Sequence, residues 1–161
     1  MFAKPTISQY LSFFLTEKIQ AMLPTEELGE IIKIDPSHIV PIFDLPSAIM
    51  GVYNHRGDVL WVVDMASLLG LPPLYKQNYY HSYNVLLIDD GSRVLGLAVR
   101  RVGQLVLCKT GQIRRTLVPD LSPKMLSCAI GEKRNAQGET IVALDSDRVM
   151  QLLSQEKAVK S

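Results

Sequence analysis

Along most of the chain, apolar residues alternate with polar residues or form short runs that polar, Gly- or Pro-containing breaks separate. This spacing is typical of β-strands, because successive side chains on a strand point to opposite faces. The strands predicted in the first half span residues 9–16, 19–24, 27–34, 51–55 and 58–64. Those predicted in the second half span residues 83–89, 93–99, 101–108, 126–134 and 139–145. Five short strands in each half predict a mainly β fold, arranged as two small barrels.

Two glycines of the first half mark places where the chain turns. Gly51 ends the segment 44–51, in which Pro46 suits a first helical turn, so one short helical turn is predicted there. Gly57 lies between two predicted strands, where the backbone needs a conformation that a side chain would disfavour. We therefore interpret Gly57 as the turn glycine of a hairpin.

Two aspartates precede segments with helical spacing. Asp64 precedes a short apolar segment, and Asp145 precedes residues 146–157, where apolar residues fall on one helical face. A carboxylate in this position accepts hydrogen bonds from the first free N–H groups of a helix. Both aspartates are therefore predicted to cap helices. Residues 1–8 and 158–161 are interpreted as flexible termini.

One segment in the middle of the chain has the composition of a linker. Residues 71–82 contain two prolines and a polar, Tyr-rich stretch without apolar periodicity. A linker here divides a domain at residues 9–153 into subdomains at approximately residues 9–70 and 82–145. The clustered tyrosines are either packed over a barrel edge or form a stacking platform for bases.

The composition is that of a globular protein, with 47% hydrophobic and 20% charged residues. The net charge of +1 gives no general reason to expect a nucleic-acid or membrane partner. No run approaches the roughly 20 apolar residues that span a bilayer, so direct membrane insertion is not expected. The charge is uneven, however: residues 1–81 carry −3 and residues 82–161 carry +4. This asymmetry hints at two different surfaces and at head-to-tail association.

The two cysteines, Cys108 and Cys128, do not form a CxxC motif, and the N-terminus lacks the layout of a signal peptide. We interpret both as buried, reduced thiols of a cytoplasmic protein.

Residue patterns for catalysis are absent from the sequence. His38, His55 and His81 are scattered, and no sequence motif pairs a nucleophile with a base. Neither a metal-ligand spacing nor a Gly-rich phosphate loop occurs. The sequence therefore predicts a protein that is not an enzyme and has no cofactor and no metal.

Two basic doublets supply an alternative function. Arg100, Arg101, Arg114 and Arg115 could form a nucleic-acid surface on a small barrel, together with the tyrosines. They could equally form a solvated face or a protein interface. A sequence pI of about 7.8 favours the latter, so no nucleic-acid partner is expected.

Residues 39–71 resemble the CheW-like domain of bacterial chemotaxis coupling proteins. The matching pattern is an apolar-Pro segment, a turn ending at Gly51, an Asn54-x-Arg56-Gly57 hairpin, an apolar strand and Asp64 before a helix. Residues 11–32 look like the opening strands of that family, and the hairpin and helix after residue 82 look like its second half. The resemblance covers about residues 9–153.

The resemblance implies two five-stranded SH3-like subdomains around a shared hydrophobic core, with a C-terminal helix. It implies a non-catalytic adaptor that couples the cytoplasmic tip of a chemoreceptor to the regulatory domain of a CheA-type histidine kinase. Ring-forming association with CheW-like domains and recruitment to membrane-bound receptor arrays are further expectations. The pathway would be chemotaxis, phototaxis or pilus motility.

The resemblance implies six residues that contact the receptor: Leu28, Glu30, Asn54, Arg56, Gly96 and Val102. The residues themselves leave Arg56 open to two interpretations. It is either a turn arginine, solvated or paired with Glu30, or a fork of donors that grips a helical partner. Trp61 stands where the family often has Pro, and it is interpreted as a core residue.

Overall fold

The structure, a computed structural model, describes residues 7–77, 82–89, 91–109, 111–115 and 121–160, with side chains to residue 156 in the last segment. In these residues the chain forms ten strands: β1 (Ile7–Phe14), β2 (Gln20–Pro24), β3 (Leu28–Ile34), β4 (Ile49–His55), β5 (Asp58–Asp64), β6 (Tyr83–Asp89), β7 (Val94–Val99), β8 (Arg101–Lys109), β9 (Ala129–Arg134) and β10 (Thr140–Leu144). The α-helices are α1 (Met65–Leu68), α2 (Pro123–Cys128) and α3 (Ser146–Lys160).

The strands form two five-stranded sheets, so the predicted fold class is confirmed. The first sheet has the order β8-β1-β2-β10-β9, and the second has the order β3-β6-β7-β5-β4. The pairs β2–β10 and β5–β7 are parallel, and the remaining pairs are antiparallel.

Each sheet contains strands from both halves of the chain, so a division of the two barrels between residues 9–70 and 82–145 is wrong. The amino-terminal strand β1 pairs with β8, and β2 pairs with β10. Apolar periodicity shows which face of a strand is buried but carries no information about its partner strand. The prediction of five strands in each half therefore gave the correct number of strands per sheet, but it assigned strands to the wrong sheets.

The two sheets share one apolar core. It contains Phe13 and Leu23 from the first sheet, Val62 and Leu97 from the second, and Val149 from α3, all buried. A smaller apolar cluster, Tyr10, Met22, Cys108, Ile141 and Ala143, lies apart from it in the first sheet. Cys108 and Cys128 are both buried free thiols, as predicted, and burial raises the pKa of each.

Two local predictions about helices differ from the structure. Residues 44–51 contain no helix: a turn is closed by the Ile49 N–H donating to the Pro46 carbonyl at 2.9 Å, and β4 begins at once. Helix α2 replaces the start of a strand predicted at residues 126–134. Its Ser122 hydroxyl accepts from the Met125 N–H at 3.1 Å, which is the arrangement of an N-cap followed by proline.

The predicted linker is anchored where the structure describes it. Leu74 is fully buried, and its N–H donates to Asp64 Oδ2 at 2.8 Å. The other carboxylate oxygen accepts from the Ser67 N–H at 3.0 Å, so Asp64 caps α1 as predicted and also holds residues 71–77. Burial raises the pKa of Asp64. Tyr79, Tyr80 and His81 lie outside the described residues.

The predicted termini are shorter than expected. Residues 7–8 belong to β1 and residues 158–160 belong to the backbone of α3, while residues 1–6 and 161 lie outside the described part of the chain.

The capping role of Asp145 agrees with the prediction, because its Oδ1 accepts from the Asp147 N–H at 2.9 Å.

Gly51 allows the segment before β4 to lie directly against that strand. Its φ is +143°, and a Cβ at this position would be 2.2 Å from the carbonyl oxygen of Val40. Val40 and Val52 exchange backbone hydrogen bonds of 2.8 and 2.9 Å beside it. Gly51 therefore has a structural role through close backbone approach, whereas the helical turn that it was predicted to end is absent.

We expect Gly51→Ala to lower the free energy of unfolding by about 2–4 kcal/mol, because the methyl group strains φ and also displaces the Val40 backbone. Urea unfolding measures the change. Gly138→Ala is the matched control, since its φ is +79° but no atom lies within 4 Å of the added Cβ. It should cost only about 1 kcal/mol. Equal losses in the two variants would contradict the steric role of Val40.

Candidate functional site

The turn between β4 and β5 is a two-residue hairpin made by Arg56 and Gly57. Their φ values are +53° and +87°, and His55 pairs with Asp58 on either side. Positive φ at both positions is the pattern of a type I′ turn, which matches the twist of the flanking strands. Gly57 is thus the turn glycine that the sequence predicts.

Asn54 stabilises this turn, a role that the resemblance does not imply. Its Oδ1 accepts a hydrogen bond of 2.9 Å from the Gly57 N–H. Asn side chains favour turns because they can bond to the backbone a few residues on. Asn54 is exposed, so the bond accounts for its presence without excluding a contact with a partner.

Arg56 occupies a left-handed backbone conformation that side chains disfavour. Among the described residues, Arg56 and Asp44 are the two residues other than glycine that have a positive φ. A left-handed conformation costs about 1–2 kcal/mol for a residue with a Cβ. Because glycine would avoid this cost, the presence of arginine at the turn calls for a contribution from its side chain.

The Arg56 side chain forms a two-contact pair with Glu30 on β3. Nη1 lies 3.0 Å from Oε1, and Nη2 donates to Oε2 at 3.1 Å. His55 Nε2 also lies 3.0 Å from Glu30 Oε1. We call Glu30, His55 and Arg56 the hairpin-tip cluster. Of the two interpretations of Arg56, pairing with Glu30 is therefore present in the structure.

The hairpin-tip cluster joins the two edges of the second sheet. β3 and β4 are its outermost strands, and the Glu30 contacts connect β3 to the end of the β4–β5 hairpin. The sheet must therefore curl until its edges meet, as in a small barrel. A bulge between Leu28 and Ile31 on β3 adds local twist next to Glu30.

The electrostatics of the cluster favour the ionised form of Glu30. The hydrogen bond with His55 is the main cause that holds the pKa of Glu30 below its ordinary value. Desolvation opposes this effect, and the charge of Arg56 adds to the lowering. The cluster nevertheless lies at the surface: the side chain of Glu30 is 41% exposed and that of Arg56 is 73% exposed.

Apolar side chains lie beside the cluster on the same hairpin. Val59 is 68% exposed and lies opposite Asn54, and Trp61 lies opposite Val52. Alternation along β4 and β5 places all four side chains on one face. Trp61 is half-buried and packs against the shared core, in agreement with the prediction. Sequence reasoning missed Val59, because residues 59–63 are all apolar and show no alternation that would separate an exposed face from a buried one.

The remaining predicted contact residues lie deeper in the fold. Leu28 and Val102 are half-buried and pack against the shared core. Gly96 is buried in β7, where a Cβ would be 2.7 Å from Val85 Cγ1. A buried residue offers a partner no surface, so the predicted receptor contact at Gly96 is replaced by a packing role.

The first basic doublet lies at the start of β8, and the second lies in the segment after β8. Arg100 donates to Gln77 Oε1 at 2.9 Å, and the Arg101 guanidinium stacks 4.0 Å from the centre of the Phe14 ring. Arg114 forms a backbone bridge with Glu132. Arg100 and Arg101 thus have structural contacts of their own, which weakens the interpretation as a nucleic-acid surface.

Among the described residues, no group of three or more His, Cys, Asp or Glu side chains is placed to hold a metal ion. No helix in the described ranges is both long enough and apolar enough to cross a bilayer.

Comparison with known proteins identifies the class of the fold. The family model of the CheW-like domain matches residues 9–157, so the chain belongs to the CheW-like family. The crystal structure of the scaffolding protein TtCheW from Thermoanaerobacter tengcongensis has a TM-score of 0.71 and 18% sequence identity, and the alignment covers 87% of this chain and 90% of that one. No curated protein sequence matches. The family match supports a scaffold or adaptor in chemotaxis.

We expect the hairpin-tip cluster to stabilise the fold at neutral pH and to lose this effect in acid. The pKa of Glu30 is lower in the folded chain than its unfolded value of about 4.3, so its contribution is present above that pH and disappears as the pH falls through the folded pKa. Glu30→Gln should therefore lower the melting temperature near neutral pH, and its curve should meet that of the wild type in strong acid. Thermal unfolding over a pH series measures this convergence.

Glu17→Gln, which changes an exposed carboxylate in the β1–β2 connection, is the matched control and should show little difference at any pH. A constant difference between Glu30→Gln and the wild type down to strong acid would contradict an electrostatic origin.

Proposed function

We propose that this protein is a non-catalytic adaptor that couples a methyl-accepting chemoreceptor to a CheA-type histidine kinase. Membership of the CheW-like family supports the adaptor role. The pathway is a chemotaxis, phototaxis or pilus-motility pathway, and the protein acts in the cytoplasm, recruited to membrane-bound receptor arrays. It binds the regulatory domain of the kinase and the cytoplasmic tip of the receptor, and it associates with other CheW-like domains in rings.

The receptor-binding surface in this proposal is the hairpin-tip cluster with its apolar neighbours. The observation that carries it is the exposed, left-handed Arg56 held by Glu30. Strained residues that the surrounding structure holds in place are found preferentially at functional sites. The surface combines Arg56 and Asn54 with the exposed Val59, and such a mixture of arginine and apolar area suits docking of a helical hairpin.

Pairing with Glu30 leaves Arg56 able to bind a partner. Arginine has five N–H donors, and two contacts with Glu30 leave about three available. Because the pair fixes the guanidinium, less side-chain entropy is lost when a partner binds. Glu30 is therefore proposed to orient Arg56, while Arg56 itself contacts carbonyl or carboxylate oxygens of the receptor tip.

Arg56→Ala is expected to weaken binding of a receptor-tip fragment by about 1–3 kcal/mol, because it removes a fixed set of donors from the interface. Its melting temperature should change little, since exposed ion pairs are individually weak. Calorimetric titration with a helical-hairpin fragment of the receptor tip, alongside thermal unfolding, measures both quantities.

Three further variants separate binding from folding. Arg56→Lys keeps the charge but lacks the fork, so it should restore only part of the affinity. Arg56→Gly relieves the left-handed strain and should lose affinity without losing stability. Glu30→Gln should weaken binding less than Arg56→Ala, because it frees the guanidinium but leaves it present. A severe loss of stability in Arg56→Ala, or wild-type affinity in all variants, would refute the proposed surface.

The kinase contact is tested separately from the receptor contact. The regulatory domain of a CheA-type kinase should co-elute with the wild type and with Arg56→Ala alike, since the hairpin tip is assigned to the receptor. Failure of the wild type to bind any such kinase domain would argue against the adaptor role. Salt-sensitive binding of oligonucleotides would instead favour the nucleic-acid alternative.

A further inference from the structure

The first sheet closes on itself at its outermost strands, β8 and β9. Lys133 Nζ on β9 donates to the Leu107 carbonyl on β8 at 3.1 Å. Arg114, in the segment after β8, exchanges backbone hydrogen bonds of 2.8 and 2.7 Å with Glu132 on β9. We call this junction the seam of the first sheet. A sheet whose edges are joined in this way forms a small barrel.

A polar cavity lies at one end of this barrel. Its volume is about 360 Å³, which is at the lower end of the range for small-molecule sites. The residues that line it come from the end of β1, the starts of β2 and β8, and the turn between β9 and β10. We call it the barrel-mouth cavity. The mouths of β-barrels are common places for ligand sites.

The strand register places three of the lining side chains in one row on the inner face of the barrel. Phe14 lies opposite Arg101 on β8 and opposite Gln20 on β2, and Gln20 lies opposite Ile141 on β10. Residues that lie opposite each other project from the same face. Lys133, which lies opposite Ile141, reaches β8 across this face, so the face is the concave one. The interior of the barrel is therefore apolar at Ile141 and polar at its mouth.

Gln20 is a buried amide that is available only to the cavity. The residue is 6% exposed. Its Oε1 and Nε2 have no hydrogen-bond partner among the described residues, yet neither atom is completely covered by protein. Because Gln20 lines the cavity, the amide can bond to a molecule that enters it. A buried amide without a partner is costly, so a ligand that both donates to it and accepts from it would be bound favourably.

Arg101 presents an ordered set of donors beside this amide. Its guanidinium stacks 4.0 Å from the centre of the Phe14 ring. The stacking fixes the plane of the group, and within the described ranges the guanidinium forms no hydrogen bond or ion pair. Its five N–H donors are therefore free to bond to a ligand.

The turn between β9 and β10 supplies a fixed acceptor at the rim of the cavity. Asn135 Oδ1 accepts from the N–H groups of Gln137 and Glu139 at 3.0 and 2.9 Å. Asn135 Nδ2 donates to Glu139 Oε1 at 3.0 Å. These bonds order the turn and orient the carboxylate of Glu139. Its other oxygen, Oε2, has no partner in the part of the chain that the structure describes.

We propose that the barrel-mouth cavity binds a neutral polyhydroxylated molecule of the size of a monosaccharide. A hydroxyl group both donates and accepts, so adjacent hydroxyls can pair with the amide of Gln20, the donors of Arg101 and the free oxygen of Glu139. Arg101 and Glu139, the two charged residues of the lining, have opposite signs and are exposed, so the cavity does not select a simple ion. An apolar molecule would leave Gln20 unpaired. This site is independent of the adaptor function.

Titration of ¹⁵N-labelled protein with myo-inositol and with D-glucose, followed by amide NMR spectra, tests the proposal. Signals of residues 12–14, 20, 101–104 and 135–139 should shift and saturate at about millimolar concentrations of at least one of the two. Cyclohexanol has the ring of myo-inositol but a single hydroxyl, so it should bind about tenfold or more weakly than the bound polyol. Glycine, a zwitterion, tests whether the two charges alone recognise a ligand.

Two variants and a control assign the roles of the lining residues. Gln20→Leu should weaken polyol binding about tenfold or more without lowering the melting temperature, because it replaces an unpaired amide by an apolar group beside Ile141. Arg101→Lys keeps the charge but lacks the planar fork, so it should also weaken binding. Gln151→Leu changes an exposed glutamine on α3 and should bind as the wild type does.

Four outcomes would overturn the proposal. The first is the absence of a saturable shift with either polyol in folded wild-type protein. The second is equal affinity for the polyol and cyclohexanol, and the third is tighter binding of glycine than of either polyol. The fourth is unchanged polyol affinity in Gln20→Leu, provided that its amide spectrum shows a folded chain.

Discussion

The apolar layer shared by the two sheets is the constraint on which the rest of the structure depends. Phe13 and Val62 are fully buried in the same core although they belong to different sheets. Because hydrophobic burial is the main driving force of folding, each sheet needs the other to cover its apolar face. The chain satisfies this need by crossing between sheets, which brings β1 and β2 beside β8 and β10. Neither half of the sequence can form its own sheet.

This crossing explains which features the sequence could predict. Strand positions follow from local alternation, and the roles of Gly57 and Asp64 follow from local turn and capping chemistry. Sheet membership depends on contacts between residues far apart in the chain, such as Phe13 with Val102, and periodicity carries no information about them. Helix α2 was missed for a related reason. Its Ser-Pro start is a recognisable signal, but the helix has only six residues and leads directly into the apolar start of β9.

The candidate site shows the same division. The sequence identified Glu30, Asn54 and Arg56 as residues of interest, but it could not show that Asn54 supports the turn. Nor could it show that Arg56 and Glu30 meet, since the two lie on opposite edges of a sheet whose curvature brings them together. Gly96 illustrates the reverse error. A residue carried over as a contact proves to be a position where the interior has no room for a side chain.

The outermost strands of the two sheets are connected in different ways. At the hairpin tip, Glu30 is matched by Arg56 and His55, so the edges of the second sheet are joined by contacts complete within the chain. At the seam of the first sheet, backbone bonds and Lys133 join the edges, and Glu132 Oε2 is buried without a hydrogen-bond partner among the described residues. The first arrangement presents an ordered surface that a large partner can dock against. The second closes the edge through the backbone and a lysine, and the unpaired carboxylate oxygen is covered by protein.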